Sequence, residues 1–333
     1  MQAEPAPALS ESQTAPSVSS AKRGRPLLGF AIRAGAGLLI ISLLLWRYDV
    51  RPVLHQLARE RPSFFLAVIA IYVAGQVMSA WRWNLLGALL KIPAPFIDYL
   101  KYGFIGMFTN VFVPGLVGGD ALRAIYLGRS HQRMGDAIAS VAADRVVGLI
   151  GLFWLAATAA AAMSVKLPRT VTLPTIAVGA LSLAAFVGLP IVGYVAARMP
   201  ARIAAITATI APYLDRPLAL MPALGLSVLL QLSLATSQWI LARGLGLEAP
   251  LSLFVLCMPI ANVFASLPVT FNGLGVRETA YLMLFGMAGM PKQDAIALGL
   301  LWFAATVLGN LTGVVSFALT ETPPLRTSAE EAA

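Results

Sequence analysis

Long apolar stretches recur along this chain, and they decide what it can fold into. They lie at about 27–46, 63–83, 137–163, 174–196, 221–242 and 294–319, each close to the ~20 residues that a helix needs to cross a hydrocarbon core. Backbone N–H and C=O groups in lipid must be satisfied within the segment, so runs of this length are read as helices. The sequence therefore predicts an all-α polytopic membrane protein with about six full crossings. Composition agrees: 58% of the 333 residues are hydrophobic and only 12% are charged, outside the range of soluble domains. The stretch at 27–46 exceeds the apolar core of a secretory signal and is read as retained.

Two further apolar stretches are interrupted, at about 97–130 and 251–290. The first contains Asn110-Val111-Phe112-Val113-Pro114-Gly115-Leu116-Val117-Gly118-Gly119-Asp120, followed by Arg123. The second contains Asn262, then Pro268-Val269-Thr270-Phe271-Asn272-Gly273-Leu274-Gly275-Val276-Arg277-Glu278. Proline and glycine at membrane depth leave backbone groups without helical partners, which is tolerated only where protein or a water-filled cavity satisfies them. The likeness continues beyond the breaks, because Asp136-Ala137-Ile138-Ala139 is matched by Asp294-Ala295-Ile296-Ala297. These pairs define an internal repeat, about 97–163 and 251–319. Paired interruptions in corresponding halves point to the binding site of a secondary transporter. Read as re-entrant hairpins, they leave three full crossings between them, so they would enter from opposite faces as an inverted repeat. If the broken elements cross completely, the chain has seven to eight spans instead.

Residues 1–26 form a polar tail ending in Lys22, Arg23 and Arg25, residues 27–319 the membrane domain, and residues 320–333 a second polar tail. Loops assigned to the side of the N-terminus hold more basic residues, among them Lys91, Lys101, Arg129, Arg133 and Arg198, than the opposite loops, which places that terminus in the cytoplasm. The formal charge of +9 is scattered between apolar runs rather than gathered on a recognition module, so no nucleic-acid partner is expected. Trp81-Arg82-Trp83 reads as an interfacial anchor. Cys257 is the only cysteine and sits in an apolar run, and His55 and His131 occupy separate loops as solvated residues. No metal site and no cofactor are expected.

Asp120 and Arg123 are three apart and share a face if the residues after Gly119 are helical. Amides freed at Gly118 and Gly119, at the positive end of a helix, suit a phosphate, to which Arg123 could add a bidentate contact. Gly273, Gly275 and Arg277 offer the same set in the second repeat. Asp144 and Arg145 are adjacent, about 100° apart on a helix, so each needs its partner elsewhere. Ionisable groups inside a span are costly and are functional candidates by default. The candidate substrate-binding set is Asn110, Pro114, Gly118, Gly119, Asp120, Arg123, Asp144, Arg145, Asn262, Gly273, Gly275, Arg277 and Glu278. Arg123 and Arg277 are expected to converge on one cavity with the acids as counter-charges. The alternative is that the glycines permit tight packing and that Asp144 neutralises Arg123 or Arg277 to lock the repeats together. Gln231 and Gln238, seven apart, share a face of the fifth crossing.

No catalytic constellation is found. Gly273-Leu274-Gly275 lacks a third glycine and a preceding strand, and no lysine of nucleotide-binding type follows a glycine loop. The runs Pro114…Gly118-Gly119-Asp120…Arg123, Asp144-Arg145-Val146-Val147-Gly148, Arg82-Trp83 and Pro268…Asn272-Gly273-Leu274-Gly275-Val276-Arg277-Glu278 together resemble the membrane domain of bacterial lysylphosphatidylglycerol synthases. That domain also occurs in stand-alone flippase-like proteins, and the likeness covers about residues 30 to 318. Asn272 stands where a further glycine is common in the family. The resemblance implies lipid translocation in the bacterial inner membrane, with a phospholipid, hopanoid or polyprenyl-linked lipid as cargo. Aminoacyl transfer resides in a separate soluble domain in the bifunctional members and is not expected here. A membrane enzyme acting on a lipid-linked phosphate, and a non-catalytic partner of a lipid-biosynthetic enzyme, are the competing readings.

Overall fold

The computed structural model describes residues 61–111, 117–162, 167–196, 198, 200–265 and 275–320, with positions 39, 42, 51 and 55. Apart from positions 39, 42 and 320, the expected first crossing and both polar tails lie outside the described residues. The elements are α1 Pro62–Leu89, α2 Phe96–Thr109, α3 Val117–Ser130, α4 Met134–Ala162, α5 Arg169–Val187, α6 Leu189–Ala196, α7 Ala201–Asp215, a 3-10 turn Pro217–Leu220, α8 Met221–Gly244, α9 Leu251–Ala265, α10 Val276–Met287, α11 Lys292–Leu311 and α12 Val314–Leu319. No strand occurs among the described residues.

Prolines set several of the starts. Pro62 and Pro222 lie in the first turns of α1 and α8, and Pro95, Pro168, Pro200 and Pro291 immediately precede α2, α5, α7 and α11. A missing N–H costs nothing at a helix start, and the fixed φ suits it. At the end of α1, Lys91 takes a left-handed φ of 55° and Ile92 N–H returns to Gly87 O at 3.1 Å, which satisfies a terminal carbonyl.

Among the described residues, five helices are long and apolar enough by length and composition to cross a membrane: α1, α4, α5, α8 with its 3-10 turn, and α11 with α12. Their exteriors stay apolar, with Leu66, Leu173, Leu181, Val187 and Val315 all more than half exposed. A protein surrounded by lipid has no hydrophobic drive to hide such side chains. Three boundaries differ from the sequence reading. Helix α1 continues to Leu89, nearly two turns beyond residue 83; the fourth crossing is interrupted at Gly188, between α5 and α6; and the sixth is interrupted at Thr312-Gly313, between α11 and α12.

The interrupted elements are hairpins. Helices α2 and α3 have 14 residues each, about 21 Å at 1.5 Å per residue, too short to span ~30 Å of hydrocarbon. At the break they meet backbone to backbone, since a Cβ on Gly119 would lie 2.2 Å from Gly106 O. At the far end Tyr102 Oη and Ser130 Oγ are 2.9 Å apart. Contacts in this reversed order make the pair antiparallel. Arg133 Nη1 donates to Lys91 O at 3.1 Å, so the chain enters and leaves by one face. In the second element, Phe254 near the start of α9 packs 5.1 Å from Phe285 near the end of α10, and Leu245, Ala249, Ala288 and Met290 around its mouth join one apolar cluster.

The hairpins open on opposite faces. Helices α1 and α8 run antiparallel, with Arg82 bonded to Ser227, Gly75 against Leu230, and Val68 in the same cluster as Leu241. The Leu89 end of α1 therefore lies with the start of α8, and Leu86, Leu90, Leu220 and Leu224 pack in the cluster that also holds Tyr99 and Leu127 of the first hairpin. The second hairpin packs at the other end of α8. The inversion expected from the count of crossings is thus visible in the packing.

Cys257 is fully buried, as its apolar surroundings suggest. His131 departs from the solvated loop residue expected of it, because its Nε2 lies 3.3 Å from Asp98 Oδ2 between the open ends of α2 and α3 and its side chain is only 13% exposed. In a Cys257→Ala background, a membrane-impermeant thiol reagent should label His131→Cys from one side of the membrane and Lys292→Cys from the other. Labelling of both from the same side contradicts this fold.

Candidate functional site

Five charged side chains meet beside the first break. Helix α1 supplies Arg82, α3 supplies Asp120 and Arg123, and α4 supplies Asp144 and Arg145. Arg82 Nε donates to Asp144 Oδ1 at 2.7 Å, and Arg123 Nη2 to Asp144 Oδ2 at 3.0 Å. Arg82 Nη1 also reaches Ser227 Oγ on α8 at 3.0 Å. Arg145 grips Asp120 with two bonds, from Nε at 2.5 Å and Nη2 at 2.8 Å. Arg123 Nε lies 3.1 Å from the same Asp120 carboxylate but off the hydrogen-bond direction. The adjacent Asp144 and Arg145 point to different partners, as their helical spacing requires.

Burial within this cluster is graded. Asp144, Arg82 and Arg123 are 2%, 6% and 7% exposed, and the Arg123 guanidinium stands over the Trp83 ring at 4.9 Å, a cation–π contact that strengthens when water is excluded. The Arg145 side chain is 43% exposed. Three guanidiniums face two carboxylates, leaving one unbalanced positive charge, and Arg145 is the arginine of the cluster that opens outward.

Sequence reasoning misassigned Arg82 and Trp83. Only Trp81 of the expected interfacial trio is exposed, whereas Trp83 is fully buried with Nε1 donating to Ser140 Oγ at 3.0 Å. The extension of α1 to Leu89 carries Arg82 well inside the span, where its charge needs the Asp144 carboxylate. The amide of Gly119, expected to be free for a phosphate, instead donates to Asn110 Oδ1 at 3.1 Å. A buried N–H is costly to leave unmade, and the asparagine that ends α2 supplies the acceptor across the break. Gly118 is half-buried, and Pro114 and Gly273 lie outside the described residues.

The second break has its own polar group. Gly275, at a φ of 82° that favours glycine, precedes α10, and its N–H donates to Glu278 Oε2 at 2.6 Å. Arg277 is 8% exposed, within electrostatic reach of Glu278, Tyr72 and Tyr281. Tyr72 Oη donates to Asn310 Oδ1 at 2.9 Å, its ring edge-on to Trp302 at 6.0 Å. Asn262 Nδ2 reaches Met258 Sδ one turn earlier on α9.

Arg123 and Arg277, expected in one cavity, stand in different clusters. The hairpins enter from opposite faces, so their breaks approach the interior from opposite ends. Helix α1 serves both groups with Arg82 and Tyr72, ten residues or about 15 Å apart. Helix α8 does the same with Ser227 and Gln238. Asp144 neutralises Arg123 together with Arg82, and its electrostatic neighbours are Arg82, Arg123 and Arg145. Sequence reasoning did not single out Tyr72 or Ser227, whose only signal is a polar atom within an apolar run.

Removing one member of a buried ion pair leaves an uncompensated charge, at a cost of about 3–5 kcal/mol. Asp144→Asn should therefore lower the thermal stability of the detergent-solubilised protein sharply, whereas Asp120→Asn, in a more open position, should cost less. Thermal denaturation of both variants beside the wild type measures the difference; equal stability of Asp144→Asn and wild type contradicts the structural role.

Comparison with the curated proteins returns no match. The family described as the lysylphosphatidylglycerol synthase TM region matches residues 27–313, most of the chain and all elements of both hairpins. This multi-pass helical membrane protein belongs to the lysylphosphatidylglycerol synthase transmembrane-region family.

Proposed function

We propose that the protein is a flippase-like lipid transporter of the bacterial inner membrane, with its N-terminus in the cytoplasm. Its cargo is an amphiphile with an anionic headgroup, a phospholipid or a polyprenyl-linked lipid. The observation that carries this reading is the unbalanced arginine cluster. Arg145 lies eleven residues into α4, about 16 Å along the span, and is exposed there beside Asp120. A cation at such depth is expensive unless it lines a polar path or meets an anion. A phosphate passing this point supplies the missing negative charge, and a guanidinium presents it with a planar pair of donors.

The inverted hairpins support the same reading. Each ends near the interior with a helix start that follows a break, and two such elements of opposite entry suit exposure of one path first to one face and then to the other. The family membership supports a lipid-related role. Movement of a lipid between leaflets makes and breaks no covalent bond, so this function asks for no catalytic residue, metal or cofactor.

The test is lipid movement in vesicles containing the purified protein and a fluorescent phosphatidylglycerol, followed by quenching of label in the outer leaflet. Arg145→Gln should slow the movement about ten- to hundredfold, the scale of a lost hydrogen bond to a charged group. Its thermal stability should remain near wild type, because Asp120 keeps Arg123 beside it. Arg145→Lys should recover part of the rate, since lysine keeps the charge and loses the fork. Wild-type rates in Arg145→Gln, or no movement with the wild-type protein, overturn the proposal.

A further inference from the structure

At the start of α10 a carboxyl group is shut away from solvent and only half satisfied. Glu278 is 0% exposed; its Oε2 accepts the Gly275 amide at 2.6 Å, while Oε1 has no hydrogen-bond partner among the described residues. Helix α11 closes directly over it, because a Cβ on Gly299 would lie 3.0 Å from Glu278 Cγ. Tyr281, also buried, faces both Glu278 and the buried Gln238 amide. Asp120 and Asp144, the acids beside the first break, are each held by arginines at 3.1 Å or less.

A carboxylate oxygen stripped of water and left bare costs several kcal/mol, and such a group binds a proton instead. We propose that Glu278 is a proton-binding site whose loading and release accompany movement of the second hairpin, so that a proton gradient drives transport; this rests on the transporter reading above. In the loading step Oε1 takes one proton from water on the face to which the site is open, and the carboxylate becomes a neutral carboxyl. The new O–H is a donor beside Tyr281, which faces Glu278, while Oε2 keeps the Gly275 amide. Release returns the proton to water on the opposite face and restores the carboxylate beside Arg277.

The link to motion is the cap itself. Glu278 holds Gly275, the residue immediately before α10, so a change in its charge acts on the start of that helix at once. The titratable and charged groups around it are Arg277 and Tyr281 on its own helix, Tyr72 from α1 and Cys257 from α9. Asp294 and Lys292 lie in the first turn of α11, five and seven residues before the contact at Gly299. From α8 the uncharged Gln238 faces Tyr281.

The full-length protein in vesicles with labelled phosphatidylglycerol and an imposed pH gradient tests the coupling. Lipid movement by wild type should quicken several-fold with the gradient, and Glu278→Gln, which imitates the protonated side chain, should show a ratio near one with and without it. Glu278→Asp should keep a gradient response. A wild-type rate indifferent to the pH gradient, or quickened equally by a sodium gradient at uniform pH, overturns the proposal while leaving the transporter reading intact. Infrared difference spectra of the purified protein across pH give a second measurement. A carboxyl C=O band should titrate in wild type, shift in Glu278→Asp and vanish in Glu278→Gln. Its absence from wild type overturns the proton site, whether or not lipid moves; no lipid movement by wild type, with the band present, overturns the transporter reading alone.

Discussion

The carboxylate of Asp144 joins three helices at one point. One oxygen takes Arg82 from α1 and the other takes Arg123 from α3, while the helix that carries it, α4, also carries Arg145 back towards Asp120. None of these charges is tolerable at depth by itself. Desolvation would make each cation or anion cost several kcal/mol, so their positions are fixed jointly. Asp144 sets where α1 stands against the first hairpin, and Ser227 extends the same contact to α8. The glycines serve this arrangement, since Gly106 and Gly119 let the two short helices touch through their backbones and bring Arg123 down to the acid.

The second constraint is that a broken helix in lipid must satisfy its own freed backbone. The two repeats solve it differently. In the first, a side chain from before the break, Asn110, reaches across to the Gly119 amide. In the second, a side chain from after the break, Glu278, reaches back to the Gly275 amide. The Asn110 amide is neutral and half-buried, so it caps without bringing a charge out of water. A carboxylate cannot, because its second oxygen needs a partner as well, and this difference makes the two halves of a repeated fold chemically unequal.

Much of the architecture was legible in the chain. Apolar runs of span length, punctuated by Pro95, Pro168 and Pro291, mark helices and their starts because proline is at home where no N–H is required. The matched breaks and the tetrapeptides Asp136-Ala137-Ile138-Ala139 and Asp294-Ala295-Ile296-Ala297 disclosed the repeat. Counting crossings between the breaks then implied their inversion. Arg82 and Trp83 were misread because a basic residue between aromatics has the same appearance at an interface as in a core. Only the continuation of α1 to Leu89 and the presence of Asp144 opposite distinguish the two.

By itself the sequence determined a helical, multi-pass protein with two interrupted elements and a short set of charges that could not lie in lipid unpaired. The reason is local, since hydropathy, proline and glycine act through the backbone of the segment that contains them. Tertiary structure alone decided which charge answers which. Asp144 could equally have met Arg123 or Arg277 on spacing grounds, and its pairing with Arg82 and Arg123 follows from the entry of the hairpins by opposite faces. That choice leaves Arg145 exposed beside Asp120 and Glu278 enclosed beneath α11. Such distances are set by packing between helices far apart in the chain, and no periodicity within one segment encodes them.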